Sequence, residues 1–296
     1  GLRNSASPLT TMRPPLPVIP GPGVTEVRHL SAYFPFLKGS RGDTEVYLLQ
    51  GRERGGTAMV LGGVHPNEPS GHLAAVILVE KAKVHAGRLI VVARANASGF
   101  THNDPQEANP QAFGIPTPSG VRFFRYGSRS TSPMDQWPDP DIYLHHPSGQ
   151  TLSGNQTRNL NRAFPGRPDG NFTEQVAHAI TEVVRQEKVD LLIDLHEASP
   201  EYPVINAIVA HERAMPLAVN VVMNLELRDI KIGLEPSPQN LHGLTHREIG
   251  DHTEALAVLM ETANPAQGRL RGKTSAELVL TGKDRMYIKA FGAKRL

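Results

Sequence analysis

Two strand-length apolar runs constrain this chain more than any other feature. Residues 57–63 climb through Met59-Val60-Leu61 to a glycine pair, and His65 and Glu68 follow within a few residues. Residues 189–195 run Val189-Asp190-Leu191-Leu192-Ile193-Asp194-Leu195 and deliver His196. Glycine lets a backbone turn sharply where a side chain would clash, so the first run reads as a strand ending in a tight turn. A stretch of helical period, 72–83 with Leu73, Val76, Ile77 and Val79, follows that turn.

The same alternation continues along the chain. Residues 44–50 and 87–94 read as strands, 173–187 and 213–224 as helices, and 204–210 and 256–260 as further strands, the last running into Glu261. Residues 275–290 give a weaker helical close. Strands alternating with helices predict an α/β domain with a mixed, largely parallel twisted sheet flanked by helices. In such sheets the site lies beyond the strand C-termini, where His65, His196 and Glu261 all fall.

Two segments break the pattern. Residues 1–23 are rich in Pro, Ser and Gly and read as an extended arm without a core of its own. Residues 95–157 carry many Pro, Gly, Asn and Ser with little periodicity. A loop that long in a compact domain is expected to serve a site. Residues 24–296 are otherwise expected to form one domain.

Composition removes several classes of chemistry. The chain of 296 residues has no cysteine, which excludes disulfides, thiolate nucleophiles and cysteine-type structural zinc. Any metal must therefore sit on histidine and carboxylate. With 5% aromatics, a formal net charge of +2 and only a mild basic cluster at Arg269, Arg271, Lys273, Lys294 and Arg295, nucleic acid is not an expected partner. No run reaches the roughly 20 apolar residues of a membrane span. The start at Gly1-Leu2, without an initiator methionine, suggests a trimmed N-terminus and leans toward export over the cytoplasm. His196-Glu197 does not extend to HExxH, because position 200 is proline, and no GxSxG elbow or complete phosphate-binding loop occurs.

Two imidazoles and a carboxylate are the ligand number and type of a hydrolytic zinc site, with a fourth position left for water. His65, Glu68 and His196 supply that set. A carboxylate outside the ligand set is then needed to take the proton of the attacking water. Glu261 is the best candidate, with Glu197 and Glu254 as alternatives. Each residue alone has a plainer reading; Glu68, for example, would suit a helix N-terminus as an acid.

The segments Gly63-Val64-His65-Pro66-Asn67-Glu68, Asn159-Leu160-Asn161-Arg162-Ala163-Phe164-Pro165-Gly166, Asp194-Leu195-His196 and Met260-Glu261-Thr262 stand in the order of the zinc carboxypeptidase superfamily. They most resemble its succinylglutamate desuccinylase/aspartoacylase branch over about residues 57–262. The resemblance implies one zinc per chain on His65, Glu68 and His196, Glu261 as general base and acid, and Asn161 with Arg162 as the clamp for a substrate carboxylate. The plainer alternative for Asn161-Arg162 is a helix-start cap with a surface ion pair. A second arginine that polarises the scissile carbonyl is also implied. Arg129 is the choice here, with Arg125 and Arg158 as alternatives, and Asp194, two residues before a ligand, is expected either to orient a metal-bound histidine or merely to cap the strand end.

The implied function is hydrolysis of the amide bond of an N-acyl amino acid or similar carboxylate-bearing amide. The alternative is a metallocarboxypeptidase acting on peptide C-termini. One departure concerns the C-terminal side. Only residues 262–296 follow Glu261, so the β-rich C-terminal domain of aspartoacylase-like enzymes is expected to be reduced or absent. His242, His246, Arg247 and His252 are expected in a polar loop before the final strand.

Overall fold

A computed structural model describes residues 16–103, 112–199, 202–264 and 267. The first strands are β1 (Glu26–His29), β2 (Glu45–Gln50) and β3 (Glu53–Leu61), followed by helix α1 (Pro69–Lys81) and β4 (Ala86–Val92). Two small hairpins come next, β5 (Ala112–Thr117) with β6 (Gly120–Arg125) and β7 (Ile142–Leu144) with β8 (Thr151–Ser153). The chain continues through α2 (Phe172–Gln186), β9 (Leu191–Ala198), β10 (Ala207–Ala210), α3 (Met215–Glu226), β11 (Gly233–Pro236), α4 (Thr245–His252) and β12 (Leu256–Ala263).

Eight strands form one sheet in the order β1-β2-β4-β3-β9-β12-β10-β11. The central pairs β4/β3, β3/β9 and β9/β12 are parallel, as is β10/β11; β1/β2, β2/β4 and β10/β12 are antiparallel. The mixed, largely parallel sheet expected from the sequence is thus the one observed. Side chains alternate across it. Met59, Leu61, Leu192 and Ala257 face α2 and α4, where Ile180, Val183 and Ile249 are fully buried. The opposite face packs Tyr47, Leu49 and Val91 against Leu73, Val76 and Val79 of α1, and Ile208 and Val258 against Ala218 of α3.

Local chemistry fixes the elements that matter for the site. Helix α2 starts on a capping box, in which the Asn171 side chain accepts from the Glu174 amide and the Glu174 carboxylate accepts from the Asn171 amide. The turn after β3 needs glycine at 63, where φ is +69° and a β-carbon would meet the Phe100 ring at 2.7 Å. Gly71 in α1 lies so close to β9 that a β-carbon would stand 2.5 Å from the Leu195 carbonyl oxygen. This contact seats the start of α1 beside the residues that precede His196.

Three expectations change. Residues 95–157 are not irregular throughout, since they contain both small hairpins. The described part of the arm is docked: the Gly21 amide donates to the Val79 carbonyl and Arg94 donates to the Leu16 carbonyl. The polar loop expected to hold His242, His246, Arg247 and His252 is instead helix α4 over 245–252, with His242 just before it. Its buried face is largely polar: Thr245, His246, Arg247 and Glu248 are all at most 4% exposed. Hydrogen bonds hold it in place of an apolar stripe, as where Gly243 N–H and His242 Nδ1 both meet the Glu248 carboxylate at 2.9 Å. The helix expected over 275–290 and the basic residues from Arg269 onward lie outside the described residues. No described helix is long and apolar enough to cross a membrane.

Candidate metal centre and substrate cleft

His65 sits in the turn after β3, Glu68 at the N-cap of α1, and His196 near the end of β9. Glu68 makes no side-chain capping bond to its own helix. Its carboxylate turns instead to the histidines, with Oε1 2.9 Å from His65 Nδ1 and Oε2 2.9 Å from His196 Nδ1. The two Nδ1 atoms are 3.1 Å apart. All three residues are 2–3% exposed, and theirs is the metal-capable group among the described residues.

The outward nitrogens of both rings are tied down. His65 Nε2 faces Asn159 Oδ1 at 2.9 Å, and His196 Nε2 faces Asp194 Oδ2 at 2.7 Å. An acceptor on Nε2 selects the Nε2–H tautomer and turns the Nδ1 lone pair into the cluster, the arrangement found around metal-bound histidines. Asn159 was not assigned a role from sequence; its only signal there was its place in the segment that also holds Asn161 and Arg162.

Electrostatics fit a cation. Burial opposes charge on all three residues, and it holds the His65 imidazole down at about 4. Burial alone would raise Glu68, but the two imidazoles outweigh it and hold the carboxyl well below its ordinary range. His196 is pushed the other way, since Asp194 and Glu68 overcome its burial and raise it well above the usual imidazole value. Two carboxylates against two rings leave an excess of buried negative charge when both rings are neutral. A divalent cation balances that excess. The ligand atoms stand 2.9–3.1 Å apart, a few tenths of an ångström inside the roughly 3.3–3.6 Å edge of a coordination tetrahedron with bonds of roughly 2.0–2.2 Å, so a small outward shift would seat the ion.

Beside the cluster opens a cleft of about 530 Å³, within the usual range for small-molecule sites. Glu261 on β12 is the direct cross-strand partner of His196. Burial pushes its carboxyl up to about 7, opposed by His196, and its Oε2 has no hydrogen-bond partner. Glu197 also borders the cleft and is pushed up to about 8 by burial, yet its carboxylate is engaged by Ser70 and by Asn264 Nδ2 at 2.9 Å. Glu254, the other alternative, is on the open surface.

Arg129 reaches the cleft and donates to Glu68 Oε1 at 3.0 Å. Arg158 is occupied elsewhere, in a bidentate pair with Asp139 and a bond to the Thr131 carbonyl. Arg125 does not border the cleft. Asn161 and Arg162 both do. The cap of their short helical turn is Asn159, whose side chain accepts from the Asn161 amide. The Asn161 side-chain oxygen Oδ1 instead accepts from Thr245 N–H at 2.9 Å and Thr245 Oγ1 at 3.0 Å. Arg162 donates to the Asn161 backbone carbonyl, and burial beside Arg129 lowers its guanidinium to about 10. No carboxylate pairs with Arg162 among the described residues, so its charge faces the cleft. His246 joins the lining at 2% exposure, with neither ring nitrogen bonded.

The eight-stranded sheet with helices on both faces is a carboxypeptidase-like α/β fold. A carboxypeptidase A structure from Shewanella denitrificans superposes with a TM-score of 0.50 at 14% identity, covering 82% of this chain and 56% of that one. Residues 145–274 match the model of the family described as "Succinylglutamate desuccinylase/Aspartoacylase catalytic domain". That match takes in Asn161, Arg162, Asp194, His196 and Glu261. Among curated proteins, the chain is 27% identical over 162 residues to an N-alpha-acetyl-L-2,4-diaminobutyric acid deacetylase of Halomonas elongata, covering 54% of this chain and 34% of the relative. A product-bound structure of the ectoine utilization protein EutE (DoeB) from Ruegeria pomeroyi aligns with a TM-score of 0.48 at 21% identity, over 74% of this chain and 52% of that one. The chain thus spans about a third of its curated relative and about half of these solved ones.

Proposed function

We propose that the chain is a zinc-dependent hydrolase that cleaves the amide bond of an N-acyl amino acid or a similar carboxylate-bearing amide. The observation that carries this reading is the buried convergence of His65 Nδ1, His196 Nδ1 and the Glu68 carboxylate beside the unbonded Oε2 of Glu261. His65, Glu68 and His196 would hold one zinc ion. When bound, it supplies Lewis acidity and lowers the pKa of a water molecule toward neutrality.

The remaining roles fall to this chain's own side chains. Asn161 and Arg162 hold the substrate carboxylate, for which a guanidinium fork with no anion partner among the described residues is suited. Arg129, close to the cluster, donates to the carbonyl oxygen as negative charge develops on it. Glu261 takes a proton from the attacking water as the new C–O bond forms. It then passes that proton to the departing nitrogen as the C–N bond breaks. Its half-buried position and raised pKa suit an acid–base group working near neutral pH.

On this reading residues 24–296 form one hydrolase domain carrying the 95–157 insertion and preceded by the 1–23 arm. The test is turnover of a panel of N-acyl amino acids and short peptides by zinc-loaded protein. Hydrolysis of the acyl amino acids supports the reading. A preference for trimming peptide C-termini would make the chain a metallocarboxypeptidase instead.

A further inference from the structure

The cleft continues past Glu261 into a recess of different character. Val209 and Leu259, cross-strand partners on β10 and β12, form part of its lining and are 7% and 3% exposed. Leu244 is also nearly buried, and Val204, Pro236 and Leu241 line the cleft as well, beside the polar Tyr202, Glu235 and His246. The recess adjoins the Asn161–Arg162 clamp directly: Leu244 precedes Thr245, whose amide and hydroxyl both bond the Asn161 side chain.

We infer that the substrate carries an uncharged, apolar side chain on the carbon next to its clamped carboxylate, and that this side chain fills the recess. The inference rests on the amide-hydrolase reading and adds the substrate class to it. Carboxylate and side chain share one carbon atom, so a carboxylate held at Asn161 and Arg162 delivers the side chain to the neighbouring wall. Among the described residues the cleft has two guanidinium groups, Arg162 at the clamp and Arg129 on the Glu68 carboxylate. An acidic side chain in the recess would lose its water among leucine, valine and proline, and among the described residues no lysine and no further arginine lines the cleft to pair with it. A basic one would find Glu235, on the exposed strand β11, or would have to turn back to the carboxylates of the reaction centre, and would leave the apolar floor unfilled. An aliphatic or aromatic side chain gains from covering that floor.

The experiment compares kcat/KM of the zinc-loaded full chain on leucine, phenylalanine, aspartate and 2,4-diaminobutyrate, each as the N-acetyl and the N-succinyl derivative. Leucine or phenylalanine is expected to lead both charged amino acids by tenfold or more, a ratio in the range that pocket fit supplies. A lead smaller than tenfold, or a charged amino acid in front, overturns the inference while leaving the hydrolase reading intact. Hydrolysis of none of them, with one zinc bound, overturns both.

Leu241→Arg, a change on the half-buried wall, gives a second test. It is expected to lower kcat/KM for the leucine substrate more than tenfold and raise that for aspartate, with zinc content unchanged. An unchanged ranking in a folded, zinc-loaded variant contradicts the proposal. Calorimetric binding of the free amino acids as products reads the same preference without turnover. Tighter binding of aspartate than of leucine would count against it.

Discussion

Glu261 stands directly opposite His196 across the parallel pair β9/β12, so one register sets an unbonded carboxylate that lines the cleft beside a metal-capable imidazole. Replacing Glu261 by Gln keeps its shape but removes the proton acceptor. Zinc content is expected to stay at the wild-type level while kcat falls by about 10²–10⁴-fold. Steady-state kinetics alongside metal analysis checks this, and unchanged turnover would move the acid–base role to Glu197.

The groups behind the histidines are expected to tune metal affinity. Asp194 Oδ2 and Asn159 Oδ1 each hold an outward ring nitrogen, at 2.7 and 2.9 Å. Asp194→Asn and Asn159→Ala should each weaken zinc binding about 10–100-fold with the fold intact. Competition against a chromogenic chelator measures it. Wild-type affinity in both variants would mean these bonds do not orient the rings.

The two cleft arginines should separate kinetically. Arg162→Ala removes the clamp and is expected to raise KM about 10–100-fold, since charge-assisted bonds contribute about 1.5–3 kcal/mol. Arg129→Ala is expected to act mainly on kcat, by about 10²–10³-fold, through lost stabilisation of the developing oxyanion. The opposite pattern would exchange their roles.

Acid sensitivity should come partly from α1. His72 is buried with Nδ1 2.8 Å from the Ala93 carbonyl, and burial lowers its pKa from 6.5 to about 4. The unfolded chain therefore takes up this proton first, so stability is full above pH 6.5 and is lost as pH falls toward about 4. The contribution is on the order of 3 kcal/mol at its limit. In urea melts at pH 7.5 and 5.0, His72→Gln should lose less stability on acidification than wild type. An equal loss would assign the effect to other groups.

Much of the fold was legible because its signals are apolar and periodic. The runs in β3, β9 and β12 and the stripes of α1, α2 and α3 all carry that signature, and the alternation of the two periods gave the sheet class. The elements that escaped lack it. Strand β1 (Glu-Val-Arg-His) is a mostly exposed edge, and β11 (Gly-Leu-Glu-Pro) is short and ends in proline. Helix α4 is buried through hydrogen bonds and ion pairs, with Ile249 as its only buried aliphatic residue, so no apolar period marks it. The metal-capable group was legible because His65 and Glu68 follow the end of β3 and His196 lies near the end of β9. Asn159, His246 and the apolar recess were not, because each depends on segments brought together only by the tertiary fold.

The most direct test of the central claim is zinc stoichiometry of the purified chain by plasma mass spectrometry, in wild type and in His196→Ala, with turnover measured before and after chelation. One zinc per wild-type chain is expected, lost together with activity in the variant and restored to wild type on adding zinc back. A folded His196→Ala protein that still holds one zinc, or a wild type that keeps full activity when stripped, would contradict the account.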